Sequence, residues 1–311
     1  MIDIISPTTP STTEEIVFMQ QFLLQKKIQS NFFDLNLVST KEKNLHSFST
    51  ISPQARFSQF QQACLNTQSQ IIWCSRGGYG SSELLPFLAK MPQPKQKKLL
   101  IGYSDITNIA NFIIKNWQWP VLMAPMLNCI IQQKVSPISI EKIFSFLATK
   151  KNKTKYNIKH LAGKSKKNII SGKLIGGCLS VLSASFATSY QLDFYQKIIL
   201  LEDIGEEGEK LNRYFTQLLQ IFNHTKYLPK AIILGNFKQN LHQEKITNID
   251  FAINNFAVNL QKSQPNILLL QETNNILGHS YEISPIVLGK KVIINLEKSL
   301  LSQNFYYETS L

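Results

Sequence analysis

The chain turns from strand to helix within the stretch Leu99-Leu100-Ile101-Gly102-Tyr103-Ser104-Asp105. The aliphatic run 99–101 predicts a buried strand, and residues 106–117 are typical of a helix. A sharp strand-to-helix turn is where proteins present a nucleophilic serine, so Ser104 is a candidate nucleophile. A serine that precedes an aspartate at a helix start is more often a cap, and the local pattern alone leaves both roles open.

A second predicted strand end, upstream, carries a glycine-containing loop. Residues 70–74 predict a strand, and Arg76-Gly77-Gly78-Tyr79-Gly80 follows it. Glycine lets backbone N–H groups approach a ligand closely. The loop could also cradle a phosphate, but it lacks the lysine and the serine or threonine of a Walker loop, which disfavours a nucleotide site. Ligands of open α/β sheets bind beyond the carboxyl ends of strands, so the two loops predict one active site.

Strand-like and helix-like segments alternate over residues 1–149 and predict an α/β domain with an open parallel sheet of the flavodoxin or Rossmann type. The first helix is capped by Thr12 or Thr13, and its first turn carries two glutamates. The predicted elements are strands at 2–5, 33–38, 70–74 and 99–102, and helices at 12–23, 53–66, from 82, and up to 117.

The second half of the chain begins with a dense run of lysines. Residues 150–170 contain Tyr156 as their only aromatic side chain, and this composition predicts a solvated lysine-rich linker. Residues 171–311 then predict a smaller C-terminal α/β domain. Its predicted elements are strands at 173–176, 197–201, 231–234, 266–270 and 291–296, and helices at 179–186 and around 211–222.

Composition restricts the classes of function. The 311 residues are 43% hydrophobic, which suits two globular domains. No secretion signal pattern and no apolar run of about 20 residues is present, so we expect a cytoplasmic protein with no membrane partner. The net charge of +13 is almost entirely lysine, and this scarcity of arginine argues against a nucleic-acid partner. The four cysteines show no metal-binding spacing, so we expect buried free thiols and no metal site.

Several motifs along the chain together resemble one known family. The main ones are Ile72 to Gly80, Gly102 to Thr107, Leu201-Glu202-Asp203-Ile204-Gly205-Glu206, and Gly278-His279; further ones are Arg56, Ala124-Pro125-Met126, Gly176-Gly177, Arg213 and Leu234-Gly235-Asn236-Phe237. In their order and spacing they resemble the LD-carboxypeptidases of serine peptidase family S66. All three arginines of the chain lie at positions that the family pattern expects.

The resemblance implies a catalytic triad formed between the two domains. Ser104 would be the nucleophile of the N-terminal domain, and a swivelling C-terminal domain would supply His279 as general base and Glu202 as the acid that orients it. The backbone N–H groups of Gly78 and Asp105 would form the oxyanion hole.

The resemblance also implies a substrate site and leaves choices within it. Arg76, Gly77 and Tyr79 would bind the substrate. Among the acidic residues that could contact the histidine, Asp203 and Glu206 are alternatives to Glu202. His279 is one of five histidines, and the others are His46, His160, His224 and His242.

Three sites depart from the family pattern, one of which is Ala187-Thr188, where Gly-Thr is common. Ala124 stands where glycine usually precedes the Pro-Met pair, and Cys178 stands where asparagine usually follows the glycine pair. The changes at Ala124 and Cys178 concern the substrate pocket more than the mechanism, because the triad positions are intact.

The activity that the resemblance implies is hydrolysis of an L,D-peptide bond, which releases D-alanine from the murein tetrapeptide in cell-wall recycling. The family needs no metal or cofactor and is expected to form homodimers. A basic surface would favour an anionic muropeptide. Two alternatives stay open: a self-immunity peptidase of the microcin C type from the same family, and a non-catalytic muropeptide-binding protein.

Overall fold

Two sheets organise the chain in the computed structural model, which describes residues 1–33, 51–149, 151–238 and 243–306. One sheet has six strands, and the other is a closed barrel of seven. The predicted mixed α/β fold with a parallel N-terminal sheet is confirmed. The barrel was not predicted.

The N-terminal part alternates strands and helices. Its elements are β1 (Ile2–Ile5), α1 (Thr13–Gln25), β2 (Ser30–Phe32), α2 (Pro53–Leu65), β3 (Ile71–Cys74), α3 (Ser81–Lys90), β4 (Leu99–Ile101), a 3-10 turn (Ser104–Ile106), α4 (Thr107–Asn116), β5 (Val121–Met123), α5 (Leu127–Ile131) and α6 (Pro137–Ala148).

The C-terminal part contributes all seven strands of the barrel and one strand of the first sheet. Its elements are β6 (Lys151–Ala162), β7 (Ile169–Cys178), α7 (Leu179–Ser183), β8 (Ile198–Glu202), α8 (Gly208–Asn223), β9 (Ala231–Leu234), α9 (Gln243–Ser263), β10 (Leu268–Glu272), β11 (Ile286–Leu288), β12 (Lys291–Asn295) and β13 (Leu300–Tyr306).

The first sheet has the strand order β11-β5-β4-β3-β1-β2. Strands β1 to β5 run parallel, with Ile2 opposite Ile71 and Ile71 opposite Leu99. Its central strands are buried on both faces, because helices cover the sheet, and they therefore consist of aliphatic runs without alternation. The carboxyl ends of β3 and β4 lie side by side, which brings the loops after them to one edge.

Local signals explain the first helix. Thr12 is its N-cap, and Thr12 and Glu15 bond each other reciprocally in a capping box. Ile16, Met19 and Leu23 are its buried face, as predicted. The strand predicted at 33–38 lies mostly outside the described residues, and β2 ends before it at Phe32.

The predicted linker over 150–170 is wrong for most of its length, since β6 occupies residues 151–162 as a barrel strand. Strand β6 pairs with β13 on one side and with β10 on the other. Its lysines at 151, 153, 155 and 159 are exposed, whereas Tyr156 and Ile158 are buried. This period of two is what a strand with one solvated face requires.

The first sheet is not confined to residues 1–149. Strand β11, which follows the barrel strand β10 in the chain, pairs antiparallel with β5, with Ile286 opposite Met123. The chain then returns to the barrel as β12. Within the described residues no helix is both long enough and apolar enough to cross a bilayer.

Candidate active site

Ser104 lies in a strained turn directly after β4. Its φ is +62°, a backbone conformation that side chains other than glycine's rarely adopt. The 3-10 turn that it begins has no side-chain capping bond. Ser104 therefore does not act as a helix cap, which was the alternative role that the local sequence allowed. A Cβ added at Gly77 would lie 3.2 Å from the Ser104 hydroxyl oxygen, and the glycine loop therefore approaches the serine closely.

Glu202 and His279 form a buried pair. His279 Nδ1 lies 2.6 Å from Glu202 Oε2, and the backbone N–H of His279 donates to the same oxygen over 2.9 Å. Glu202 is the last residue of β8 and is fully buried. Of the three acids that the sequence offered, Glu202 is thus the one that contacts the histidine.

The electrostatics of the pair favour a basic histidine. Burial by itself lowers the pKa of His279, but the charge of Glu202, its hydrogen bond and the charge of Asp203 outweigh burial, so that the pKa is raised above its ordinary value. An imidazole held in this way is a stronger proton acceptor than a free one.

Asp203 has a different set of contacts. Its carboxylate accepts from the Ser180 backbone N–H (2.7 Å), the Ser180 hydroxyl (3.0 Å) and the Cys178 thiol (3.3 Å), together with the Ile204 N–H. Burial, with the nearby charge of Glu202, raises its pKa to about 6. Asp203 therefore fixes the start of α7, and Cys178 donates to it from the position where the family usually has asparagine.

Ser104 and His279 line one cavity of about 530 Å³. Its other walls come from the glycine loop, from α5 and the segment after it, and from the residues next to the histidine. The remaining lining residues are Arg76, Gly77, Gly78, Tyr103, Met126, Asn128, Cys129, Gln132, Lys134, Ile204, Ser280 and Tyr281. The structure thus brings together Ser104, His279 and the predicted Arg76, Gly77 and Gly78.

Three predicted residues lie elsewhere. Tyr79 is half exposed and does not line the cavity. Glu202 is behind His279, as an orienting acid should be, and the Asp105 side chain points to α3, where it accepts from Ser81.

Charge in the cavity has one sign. Its described lining includes two cations, Arg76 and Lys134, and no acidic residue. Arg76 Nη1 lies 3.3 Å from Glu15 Oε2, so its charge is partly neutralised. The ammonium of Lys134 has no such carboxylate partner within the part of the chain that the structure describes. The cavity therefore suits an anionic ligand.

The wall formed by α5 was missed by the sequence analysis. Asn128, in this wall, has a buried side-chain oxygen without a hydrogen-bond partner in the described chain. A signal was present, because the aliphatic run 121–123 before Pro125 is a third strand end next to the other two.

The described residues contain no group of three or more histidine, cysteine or acidic side chains placed to hold a metal ion. All four cysteines are free, and three of them, Cys64, Cys74 and Cys178, are buried as predicted; Cys129 is half-buried.

Comparison with known proteins places this arrangement in a family. The family model described as the LD-carboxypeptidase N-terminal domain matches residues 2–124, and that of the LD-carboxypeptidase C-terminal domain matches residues 171–294. The chain belongs to the LD-carboxypeptidase family, S66. The predicted resemblance is confirmed, and with it the class of serine peptidase.

Two relatives illustrate the range of this LD-carboxypeptidase family. A Rickettsia conorii protein that carries the name putative carboxypeptidase is 31% identical over 278 residues, which are 87% of this chain and 84% of the relative. The murein tetrapeptide carboxypeptidase of Pseudomonas aeruginosa is 28% identical over 205 residues, 61% of this chain and 63% of the relative.

Two solved structures share the LD-carboxypeptidase fold. The muramoyltetrapeptide carboxypeptidase from Oxalobacter formigenes superimposes with a TM-score of 0.76 at 20% identity, covering 99% of both chains. The microcin C7 self-immunity protein MccF superimposes with a TM-score of 0.73 at 18% identity, covering 100% of this chain and 96% of that one.

Proposed function

We propose that this protein hydrolyses the L,D-peptide bond that precedes a C-terminal D-amino acid, and that its substrate is a murein tetrapeptide. The observation that carries the proposal is the shared cavity of Ser104 and His279, with Glu202 bonded to the far side of the imidazole. The Pseudomonas aeruginosa relative, named a murein tetrapeptide carboxypeptidase, supports this choice of substrate.

The reaction follows from these groups. His279 Nε2 takes the proton of the Ser104 hydroxyl while the oxygen attacks the scissile carbonyl, and Glu202 holds the Nδ1 proton and stabilises the imidazolium. The imidazolium then protonates the leaving D-amino acid nitrogen. Water, deprotonated by His279, hydrolyses the resulting acyl-enzyme.

The oxyanion of the tetrahedral intermediate needs preorganised donors. Gly78 follows Gly77, which approaches Ser104 closely, and it lines the same cavity as the serine. The Asp105 N–H is in the first turn after the nucleophile, where helical N–H groups lack an intrahelical partner. We assign the oxyanion hole to these two N–H groups.

The charge of the cavity supports an anionic peptide. A murein tetrapeptide carries several carboxylates, and Arg76 and Lys134 are the cations that would meet them. We retain the homodimer, the cytoplasmic location and the swivelling of the C-terminal part as predictions that follow from the family resemblance.

The decisive test is mass spectrometry of the tetrapeptide L-Ala-D-Glu-diaminopimelate-D-Ala after incubation with the wild-type protein or Ser104→Ala. We expect loss of one D-alanine with the wild type alone. The diastereomer that ends in L-alanine is the matched substrate control and should stay intact.

The other outcomes distinguish the alternatives. Full hydrolysis by Ser104→Ala would show that the nucleophile is wrongly assigned. An intact tetrapeptide together with cleavage of a peptidyl nucleotide would favour the microcin-type peptidase. Tight tetrapeptide binding without turnover would favour the muropeptide-binding protein.

A further inference from the structure

The Asp105 side chain connects the nucleophile turn to the glycine loop. We propose that the Asp105 carboxylate is a positioning residue, which holds the loop 76–80 against the Ser104 turn so that the two oxyanion-hole N–H groups keep one fixed separation. This inference rests on the proposed function, because it concerns the geometry of the same site.

Within the described residues, the hydrogen bonds that the Asp105 carboxylate accepts come from Ser81, the residue that follows the loop. Its Oδ2 accepts from the backbone N–H of Ser81 over 2.9 Å, and its Oδ1 accepts from the Ser81 hydroxyl over 3.3 Å. Asp105 is buried, and Ser81 is the first residue of α3. The nucleophile's neighbour therefore caps the helix that the glycine loop leads into.

A buried arginine holds the other side of the same peptide group. Arg56 Nη1 donates to the carbonyl oxygen of Gly80 over 3.0 Å and to that of Pro7 over 3.1 Å. The peptide between Gly80 and Ser81 is thus fixed at its carbonyl by Arg56 and at its N–H by Asp105. It cannot rotate without loss of a buried hydrogen bond.

The opposite end of the loop is fixed as well. The Thr8 hydroxyl donates to the carbonyl of Arg76 over 3.2 Å, and the Thr9 hydroxyl accepts from the N–H of Tyr79 over 3.0 Å. Gly78 lies between these bonds with a φ of +121°. The loop is therefore anchored at both ends, and Asp105 is the anchor that belongs to the nucleophile turn itself.

The chemistry of the anchor separates contact from charge. Burial raises the pKa of Asp105 to about 7, against the hydrogen bonds from Ser81 and the charge of Arg56, with Glu83 as the nearby acid. An asparagine could accept from the same N–H without any charge. If the hydrogen bonds between Asp105 and Ser81, here called the tether, position the loop, an asparagine at this position should retain activity and an alanine should not.

The experiment compares Asp105→Ala and Asp105→Asn with the wild-type protein. The first readout is the rate at which a fluorophosphonate labels Ser104, which requires the nucleophile and the oxyanion hole but no particular peptide. The second is kcat and KM for release of D-alanine. Asp193→Ala, which removes a surface aspartate paired with Lys197, is the matched control.

We expect Asp105→Ala to lower the labelling rate and kcat by about 100-fold, with KM within threefold of the wild type, since a displaced donor weakens only the transition state. Asp105→Asn should remain within about fivefold of the wild type. If circular dichroism shows that Asp105→Ala does not fold, Ser81→Ala, which removes one of the two contacts, should still lower labelling several-fold.

Several results would overturn the inference. They are unchanged labelling in folded Asp105→Ala, unchanged labelling in Ser81→Ala if the first variant does not fold, equal losses in the alanine and asparagine variants, and a loss confined to KM. Labelling of the wild type without release of D-alanine would reject the proposed substrate while the labelling rates still decide the tether. No labelling of the wild type would overturn both.

Discussion

Gly278 controls how closely the histidine segment approaches its acid. Its φ is +103°, and an added Cβ would lie 2.6 Å from the Cβ, Cγ and Oε2 atoms of Glu202. Gly205 also has a positive φ, +74°, but an added Cβ there would meet nothing within 4 Å. Substitutions at Gly278 and Gly205 therefore distinguish the effect of crowding Glu202 from the effect of backbone strain.

We expect Gly278→Ala to lower kcat by about 100-fold or more, because Glu202 must move away from His279 and the contact that orients the imidazole is lost. Gly205→Ala should keep its activity and lose only about 1–2 kcal/mol of stability from the positive φ. Steady-state kinetics and urea unfolding measure the two effects. Equal activities of the two variants would contradict the assignment.

The raised pKa of His279 determines the pH dependence. A general base acts in its neutral form, so kcat/KM should rise with pH and reach its half-maximum above the ordinary histidine value of about 6.5. In Glu202→Gln burial remains while the opposing charge is lost, and the half-maximum should move down. We also expect kcat to fall by about 10⁴-fold, as when the triad acid is neutralised elsewhere.

A profile of kcat/KM from pH 5 to pH 9 for both proteins measures this. A half-maximum at the same pH in both would show that Glu202 does not set the basicity of the imidazole. Asp203, the other acid near the histidine, is present in both proteins and serves as an internal control.

At this scale the family resemblance could predict which residues form a triad, but the sequence could not show how Glu202 and His279 are arranged. The choice among Glu202, Asp203 and Glu206 depends on the direction of each side chain at the end of β8, which a short run of acids does not reveal. Lys134 and Asn128 carried no motif, since their position in the cavity arises only from how α5 packs beside the serine turn.

Among the elements, α4 connects the two sheets through polar side chains. Asn111 donates to the carbonyl of Gly176 over 2.8 Å and accepts from the N–H of the same residue over 3.1 Å. Thr107 accepts from the N–H of Cys178 over 3.1 Å and donates to the carbonyl of Ser104 over 2.6 Å. One helix thus links β7 of the barrel to the nucleophile turn.

We expect Asn111→Ala to destabilise the protein by about 2–4 kcal/mol, because it leaves a buried N–H and a buried carbonyl of Gly176 without partners. Asn116→Ala, on the exposed side of the same helix, should change stability by less than about 0.5 kcal/mol. Urea unfolding of both variants measures the difference. Similar values would mean that the two bonds to Gly176 contribute little.

Prediction of the elements succeeded where the pattern was long or bounded by strong signals. The capped helix α1 and the aliphatic strands β1, β3 and β9 were predicted within one or two residues. Strands β5 and β11, of three residues each, are too short to show a period. Helix α9 was not predicted, although its sequence carried a signal. Four apolar residues recur at helical spacing and are buried: Ile249, Ile253, Phe256 and Leu260.

For the whole molecule, local patterns could not show which residues meet. Ser104 follows β4 of the first sheet, Glu202 ends β8 of the barrel, and His279 lies between β10 and β11. Only the family resemblance connected these distant positions. The closed barrel was equally invisible, because its longest strand, β6, carries lysines on its outer face and was interpreted as a linker.

The path of the chain through β11 has a consequence for biosynthesis. The segment after His279 leaves the barrel, completes the edge of the first sheet as β11 and re-enters the barrel as β12. A ribosome therefore synthesises the Ser104 turn long before His279 and the edge strand that follows it. Under the proposed mechanism the site is complete only once both have emerged, so we expect a translation product truncated before His279 to show no hydrolase activity.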